Sequence, residues 1–405
     1  MSVPVHQGVR RPPPRLAGLV IRDILLEPLL GGFFHDDQAA LRVGSAEPLT
    51  PGYAAVRVPA TGLGIGLVLD GGQVVWGDAV SVQYAGAGGR DPLLGPDALR
   101  DWDVRGLDVG RWTEATDRSL AGVEHAALRY GISQALLAAA AAERGVTMAE
   151  VVADELGLEL VAQPVPLFAQ SGEARHAAVE RMIAKRVDVL PHGLFSTREA
   201  FAGMLDFARW VARRVGEHDG YAPVLHFDVY GQAGLAYDGD VDAVADFLLE
   251  IERACAPFRV RVESPVDFGS RPAQIEGGVA LRRAVAERGG TVAIVADEWC
   301  NTLADVEAFA AAGACDMVQI KTPDVGSLVD SARAVLACRA HGIGAYLGGS
   351  CSETEVSARA CVHVAVATRP DMQLAKPGMG VDEGIMLAAN EQRRLLALLR
   401  RELKR

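Results

Sequence analysis

From Pro164 onward the chain alternates short strand-like runs with longer helical segments, and it does so eight times over about 240 residues. The strands are expected at Pro166–Gln170, Val187–Pro191, Val224–Val229, Arg259–Glu263, Val292–Asp297, Asp316–Lys321, Gly344–Leu347 and Met372–Leu374. Between them lie helical segments such as Arg198–Val215, Val241–Ala254, Arg271–Arg288 and Asn301–Ala312. Parallel strands need crossover helices, and eight such units match a (β/α)8 TIM-type barrel. A doubly wound open sheet is the competing arrangement, but it rarely continues through eight regular units.

The first part of the chain reads differently, as strands followed by helices. Ala54–Val58 and Gly66–Asp70 alternate loosely, and Asp70–Gly71–Gly72 offers a turn before Gln73–Trp76, so a hairpin is expected. From Glu114 to Leu156 the pattern is helical, with the Ala-rich run Ala135–Ala142 as a helix interior. A single core stops growing at roughly 250–300 residues, so 405 residues divide naturally in two. The expectation is an α+β capping domain over residues 1–160 and a barrel over residues 161–405.

Charge removes several classes of partner. With 40 Lys and Arg against 52 Asp and Glu, the net charge is −12. Such a chain lacks the basic stripe that nucleic acid requires and opposes an anionic membrane. No apolar run reaches the roughly 18 residues of a membrane span. The segment from Ser2 to Leu16 has no apolar stretch of the export type, and the six cysteines form no CxxC pair, which together suggest a reducing, cytoplasmic setting.

Barrel enzymes place their chemistry at the C-terminal ends of the strands. Asp228, Glu263 and Asp297 end the third, fourth and fifth strands, 35 and 34 residues apart. Each alone could cap a helix. Three on adjacent strand ends would converge and repel one another without a cation, and an all-oxygen set suits Mg²⁺. Lys321 ends the sixth strand and shares its inward face with Gln319. It could merely pair with a carboxylate, yet beside a divalent cation its ammonium is disfavoured and the neutral amine becomes a usable base. His192 ends the second strand, across the mouth, and Gln170 ends the first.

Other signals are weaker. Gly62–Leu63–Gly64–Ile65–Gly66 has no following helix and is no dinucleotide fingerprint. Gly86–Ala87–Gly88–Gly89–Arg90–Asp91 fits a mobile loop over the barrel mouth better than a phosphate cradle. Gly348–Gly349–Ser350–Cys351–Ser352 could present a nucleophilic cysteine, but no histidine is evidently placed to activate it, so a ligand-contacting loop is expected.

Taken together, a small cap, Asp–Glu–Asp on strands three to five and a lysine on strand six resemble the enolase superfamily. Within it the chain is similar over nearly its whole length to the methylaspartate ammonia-lyase family. The matching stretches include Val82–Gln83–Tyr84 through Gly88–Gly89–Arg90–Asp91–Pro92, Phe168–Ala169–Gln170–Ser171–Gly172 and Val187–Asp188–Val189–Leu190–Pro191–His192. They continue through Asp228–Val229–Tyr230–Gly231, Val262–Glu263–Ser264–Pro265 and Gln319–Ile320–Lys321–Thr322–Pro323–Asp324. The last are Gly348–Gly349–Ser350–Cys351 and Lys376–Pro377–Gly378–Met379–Gly380.

The resemblance implies that Asp228, Glu263 and Asp297 bind Mg²⁺. It implies that Lys321 removes the C3 proton of (2S,3S)-3-methylaspartate and that His192 serves the opposite face. It further implies substrate contacts from Gln73, Gln170, His192, Gln319, Ser350 and Cys351, and a C3-alkyl pocket lined by Phe168, Tyr346 and Leu374. The family has Thr where Ser350 stands and Asn where Ser352 stands, so the wall at 350 keeps its hydroxyl but loses a methyl. Elimination would give mesaconate and ammonia without an organic cofactor, in a homodimer activated by a monovalent cation such as K⁺. Two rivals share parts of this pattern. One is a racemase or dehydratase of the same superfamily, although those usually carry Lys-x-Lys where this chain has Leu190–Pro191–His192. The other is an inert homologue that only binds an acidic metabolite.

Overall fold

The N-terminal domain is built on an antiparallel sheet of strands β1 (Ile21–Asp36), β2 (Arg57–Leu69) and β3 (Val74–Val80), in that order. The computed structural model describes residues 20–95, 98–99, 101–377 and 381–402. The segment 2–16 and the Gly378–Met379–Gly380 part of the last matching stretch lie outside these residues. Strand β1 was not expected, because Pro28 and Gly31–Gly32 interrupt its alternation and most of it is at least partly exposed at the sheet edge. The segment expected at 66–70 falls almost wholly in β2, whereas residues 54–56 of the one expected at 54–58 form bends before that strand. The glycines of β2 let strands approach closely, since a Cβ on Gly62 would lie 2.5 Å from the Ala79 carbonyl oxygen.

Between β1 and β2 runs the short helix α1 (Gln38–Val43), and the expected helical region resolves into α2 (Trp112–Ser119), α3 (Ala126–Arg144) and α4 (Met148–Leu156). Gly145, at φ 62°, ends α3, and a Thr147–Glu150 capping box starts α4. The alanines of α3 keep it thin enough to lie directly on β3. The contact is made at glycines, since a Cβ on Gly77 would sit 2.1 Å from the Gly131 carbonyl oxygen. Trp112 is fully buried beside it and donates its indole N–H to Ser133 at 3.1 Å. Burying an aromatic of 150–250 Å² at about 25 cal/mol per Å² is worth on the order of 4–6 kcal/mol.

The barrel strands are β4 (Leu167–Phe168), β5 (Val189–His192), β6 (Val224–Asp228), β7 (Val260–Glu263), β8 (Ala293–Ala296), β9 (Met317–Ile320), β10 (Gly344–Leu347) and β11 (Met372–Leu374). They are parallel and close in the order β10-β11-β4-β5-β6-β7-β8-β9, as the eightfold repeat implies. The first seven helices of this domain are α5 (Arg175–Ala184), α6 (Arg198–Ala202), α7 (Met204–Gly216), α8 (Gln232–Ala236), α9 (Val241–Cys255), α10 (Arg271–Glu287) and α11 (Leu303–Ala312). The others are α12 (Thr322–Val325), α13 (Leu328–Ala340), α14 (Glu355–Thr368) and α15 (Val381–Glu402). The single helix expected over 198–215 is two, broken at Gly203.

Inward positions alternate along each strand. Phe168, Val189, Val224, Val295, Met317, Tyr346, Met372 and Leu374 form an apolar plug inside the barrel. The polar inward residues come later on the same strands, at the mouth, where the N-terminal domain docks. Ser352 donates to the Ser81 carbonyl at 3.0 Å and Thr354 to Asp78 at 2.5 Å across that seam. The six cysteines are all free and buried. Among the described residues no helix is long and apolar enough to cross a membrane.

The close packing of α3 on β3 makes Gly77 intolerant of a side chain. Gly77→Val is expected to lower stability in urea unfolding by about 1–3 kcal/mol or more. An unchanged midpoint would show that the helix can lift off the sheet at little cost.

Candidate active site

Three carboxylates line one side of the mouth because their strands are neighbours. Asp228 and Glu263 are in register across β6 and β7, and Asp297 follows the end of β8. All three are at most 4% exposed. Burial pushes the Glu263 carboxyl well above the usual range, and Asp228 and Asp297 push it further. Burial acts on Asp297 in the same direction, but Lys321 and Arg90 outweigh it and hold that carboxyl below the usual range. Glu298, beside it, is pushed up to about 7, mainly by burial and then by Asp297.

Each carboxylate has its own partner. Lys321 Nζ lies 2.7 Å from Asp297 Oδ2, and His226 Nε2 lies 2.7 Å from Glu263 Oε2. Gln319 Nε2 donates to the other Glu263 oxygen. His192 Nε2 is 3.5 Å from Asp228 Oδ2 and 3.3 Å from the Tyr230 hydroxyl. Burial drives His226 well toward its neutral form, so it can serve Glu263 as a hydrogen-bond partner without charge.

The strand order sets His192 and Lys321 against each other. Their strands, β5 and β9, are four apart in either direction round the barrel. Both side chains line the same cavity, together with Gln83, Tyr84, Arg90, Gln170, Asp228, Tyr230, Gln319, Ser350 and Cys351. The open surface depression of about 560 Å³ beside Trp102 and His125 is larger, so chemistry rather than size singles out this cavity. Buried polar atoms there, Gln170 Oε1, Gln319 Oε1 and His192 Nδ1, lack partners among the described residues, as expected of groups awaiting a polar ligand. His192, Tyr230, Ser264 and Trp299, at or just past four successive strand ends, have φ of 70°, 50°, 49° and 63°. Such a cluster of left-handed non-glycine residues is a common mark of a functional site.

The N-terminal domain supplies part of the wall. Gln83 donates from its amide to Asp36 at 2.8 Å and accepts from the Cys351 thiol at 3.2 Å, while its backbone N–H donates to Ser350 Oγ at 2.9 Å. Gln73 does not belong here. It stands exposed in the turn between β2 and β3, and the N-terminal domain's glutamine at the mouth is Gln83. The loop 86–91 covers the mouth and is tethered there: Arg90 reaches Asp297 at 3.0 Å and Asp324 at 2.9 Å, and Asn301 donates to the Gly88 carbonyl at 2.8 Å. Breaking a buried pair of this kind costs about 3–5 kcal/mol.

Phe168, Tyr346 and Leu374 sit fully buried in the apolar plug, with the Phe168 ring 5.9 Å from that of His192. They do not border the cavity as it stands. Cys351 is unlike a nucleophile, because burial pushes its thiol up and the thiol donates to Gln83. Five residues at the mouth were given no role in the sequence reading: Gln83, Tyr84, Arg90, Tyr230 and His226. His226 was accessible, since it precedes Asp228 by two and so shares its inward face.

The expected convergence of the three carboxylates on one point is not seen. Among the described residues no three His, Cys, Asp or Glu side chains are arranged to hold a metal ion. Asp297 and Glu263 point instead to Lys321, Arg90, His226 and Gln319. The donor chemistry still fits a hard divalent cation. Three buried oxygen donors lie on adjacent strands, and the anionic form of Glu263 is unfavourable without further positive charge.

Models of the two halves of one family match the chain: methylaspartate ammonia-lyase N-terminus over residues 19–157 and methylaspartate ammonia-lyase C-terminus over residues 159–401. Methylaspartate ammonia-lyase 1 of Carboxydothermus hydrogenoformans is 45% identical, over 94% of this chain and 97% of its own length. The crystal structure of Citrobacter amalonaticus methylaspartate ammonia lyase containing (2S,3S)-3-methylaspartic acid superposes with a TM-score of 0.90 at 41% identity, covering 94% of this chain and all of that one. A magnesium complex of Clostridium tetanomorphum β-methylaspartase superposes at 0.85 and 40% identity, over 95% and 100%.

Calorimetric titration with Mg²⁺ should detect binding, and Glu263→Gln should weaken it by roughly tenfold or more while circular dichroism stays native. Equal binding by both proteins would remove Glu263 from the ligand set.

Proposed function

The chain belongs to the methylaspartate ammonia-lyase family, and from that premise we propose that it catalyses the reversible elimination of ammonia from (2S,3S)-3-methylaspartate to give mesaconate. The observation that carries this reading is the placement of Lys321 and His192 on opposite walls of one buried cavity, with three carboxylates along the side between them. A hydrogen alpha to a carboxylate is a very weak acid, and its removal needs both a positioned base and stabilisation of the charge left behind.

In this proposal Asp228, Glu263 and Asp297 hold Mg²⁺. When bound, the cation acts as a Lewis acid toward the substrate carboxylate next to C3 and stabilises the charge formed there. Lys321 takes the C3 proton as a neutral amine, the C3–H electron pair becomes the C2=C3 double bond, and the protonated amino group on C2 leaves as ammonia with the C–N bonding pair. His192 faces the other side of C3 and serves the epimer. Gln83, Gln170, Gln319, Ser350 and Cys351 offer donors and acceptors to the substrate's charged groups. Phe168, Tyr346 and Leu374, packed in the plug rather than bordering the cavity, are the apolar side toward which the C3 methyl turns. The docked N-terminal domain, residues 1–160, closes the catalytic barrel, residues 161–405, against water. The proposal extends to a homodimer, for which Leu30, 79% exposed on edge strand β1, offers apolar surface, to activation by K⁺, and to a cytoplasmic location.

Lys321→Ala should cut mesaconate formation from the (2S,3S) substrate by roughly 10²–10⁴-fold. His192→Ala should keep more of that activity and lose turnover of the C3 epimer. Equal loss on both epimers would reduce His192 to an orienting role, and near-normal turnover by Lys321→Ala would reverse the assignment. Chelation by EDTA should abolish turnover, with Mg²⁺ restoring it. Gln83→Ala should lower kcat/KM by about tenfold, as expected for loss of one buried hydrogen-bonding group, whereas Gln73→Ala should match the unmutated enzyme. The opposite ranking would return Gln73 to the site.

A further inference from the structure

Lys376 and Glu353 are both fully buried and form an ion pair of 2.9 Å and 3.0 Å below the turn Gly348–Ser350. Neither lines the cavity, and the mechanism above uses neither. The ammonium also donates to Thr322 Oγ1 at 2.9 Å and to the Gly348 carbonyl at 3.0 Å. The carboxylate accepts from the Ser350 backbone N–H at 2.7 Å and from the Tyr130 hydroxyl at 2.7 Å. The pair therefore grips the turn at both ends, by the carbonyl of 348 and the N–H of 350. Gly349 lies flat on it, since a Cβ there would be 2.2 Å from Glu353 Oε2 and 2.4 Å from Lys376 Nζ.

A buried pair of this kind adds little to stability over well-packed apolar residues, because both charges must be desolvated. What it does provide is geometry. The turn delivers Ser350 and Cys351 to the cavity wall, and Thr322 directly follows Lys321 at the start of α12. One ammonium thus ties the end of β9 to the loop after β10. Tyr130 belongs to α3, so the same carboxylate also senses the docked N-terminal domain. We infer that Lys376 and Glu353 are positioning residues, which fix the Ser350–Cys351 turn relative to Lys321 and couple that placement to domain docking through Tyr130. This rests on the proposed roles of Lys321, Ser350 and Cys351.

The test compares Glu353→Gln with the double variant Glu353→Gln/Lys376→Met, which removes both charges. Glu353→Gln should lower the unfolding midpoint and cut kcat by roughly 10²-fold, the order of loss expected for a misplacement of about 1 Å. The double variant should regain the midpoint while kcat stays depressed by about tenfold or more. Recovery of kcat together with stability would overturn the inference. Should the double variant fail to fold, Tyr130→Phe decides, since it loses only the hydroxyl. Lowered kcat at a native midpoint supports the coupling, and unchanged kcat rejects it. Alkylation of Cys351 by iodoacetamide, located by mass spectrometry, gives a readout independent of turnover. It should quicken when the turn is released, and an unchanged rate counts against the inference. Absence of mesaconate from the unmutated protein would instead defeat the functional reading alone, leaving the alkylation result to judge the turn.

Discussion

The mouth of this barrel is organised around an excess of buried negative charge. Asp228, Glu263, Asp297 and Glu298 are nearly inaccessible, with Asp324 close by, and among the described residues the lysine and arginine that pair with this set are Lys321 and Arg90. Such a cluster cannot stand undisturbed in a low-dielectric interior. Its consequences are visible in Glu263, which burial pushes toward its neutral form, and in Arg90, drawn in from the covering loop. The demand for positive charge makes a divalent cation chemically apt here. It also brings a lysine to the place where a base is useful.

The site is an assembly of two domains. Barrel strands fix the carboxylates, His192 and Lys321 by register, which is as rigid a placement as a protein offers. The remaining wall comes from Gln83, Tyr84 and Arg90, and their positions depend on how the N-terminal domain docks. Gln83 and the turn at 348–351 interlock through two hydrogen bonds, so neither wall is complete alone.

The barrel was legible in the sequence because its signal is repetition, and the strand ends followed because chemistry in such folds gathers there. That Asp228, Glu263, Asp297 and Lys321 stand at the strand ends was legible from spacing and alternation. The antiparallel sheet was harder. Strand β1 is a half-exposed edge with Pro28 and a Gly pair, so packing against β2 rather than local pattern creates it. The contribution of Gln83 could not be derived from its neighbours either, since it depends on docking between domains. Gln73, implied by the resemblance, is carried away from the mouth by a hairpin turn. The buried Lys376–Glu353 pair was likewise hidden, because its members, 23 residues apart, meet only through the fold.

The most direct test of the account is proton NMR of the protein with (2S,3S)-3-methylaspartate and Mg²⁺ in D₂O. The account predicts that the substrate signals decay as the vinyl signal of mesaconate grows. A substrate that binds, shown by line broadening, yet neither eliminates ammonia nor exchanges its C3 hydrogen would contradict it.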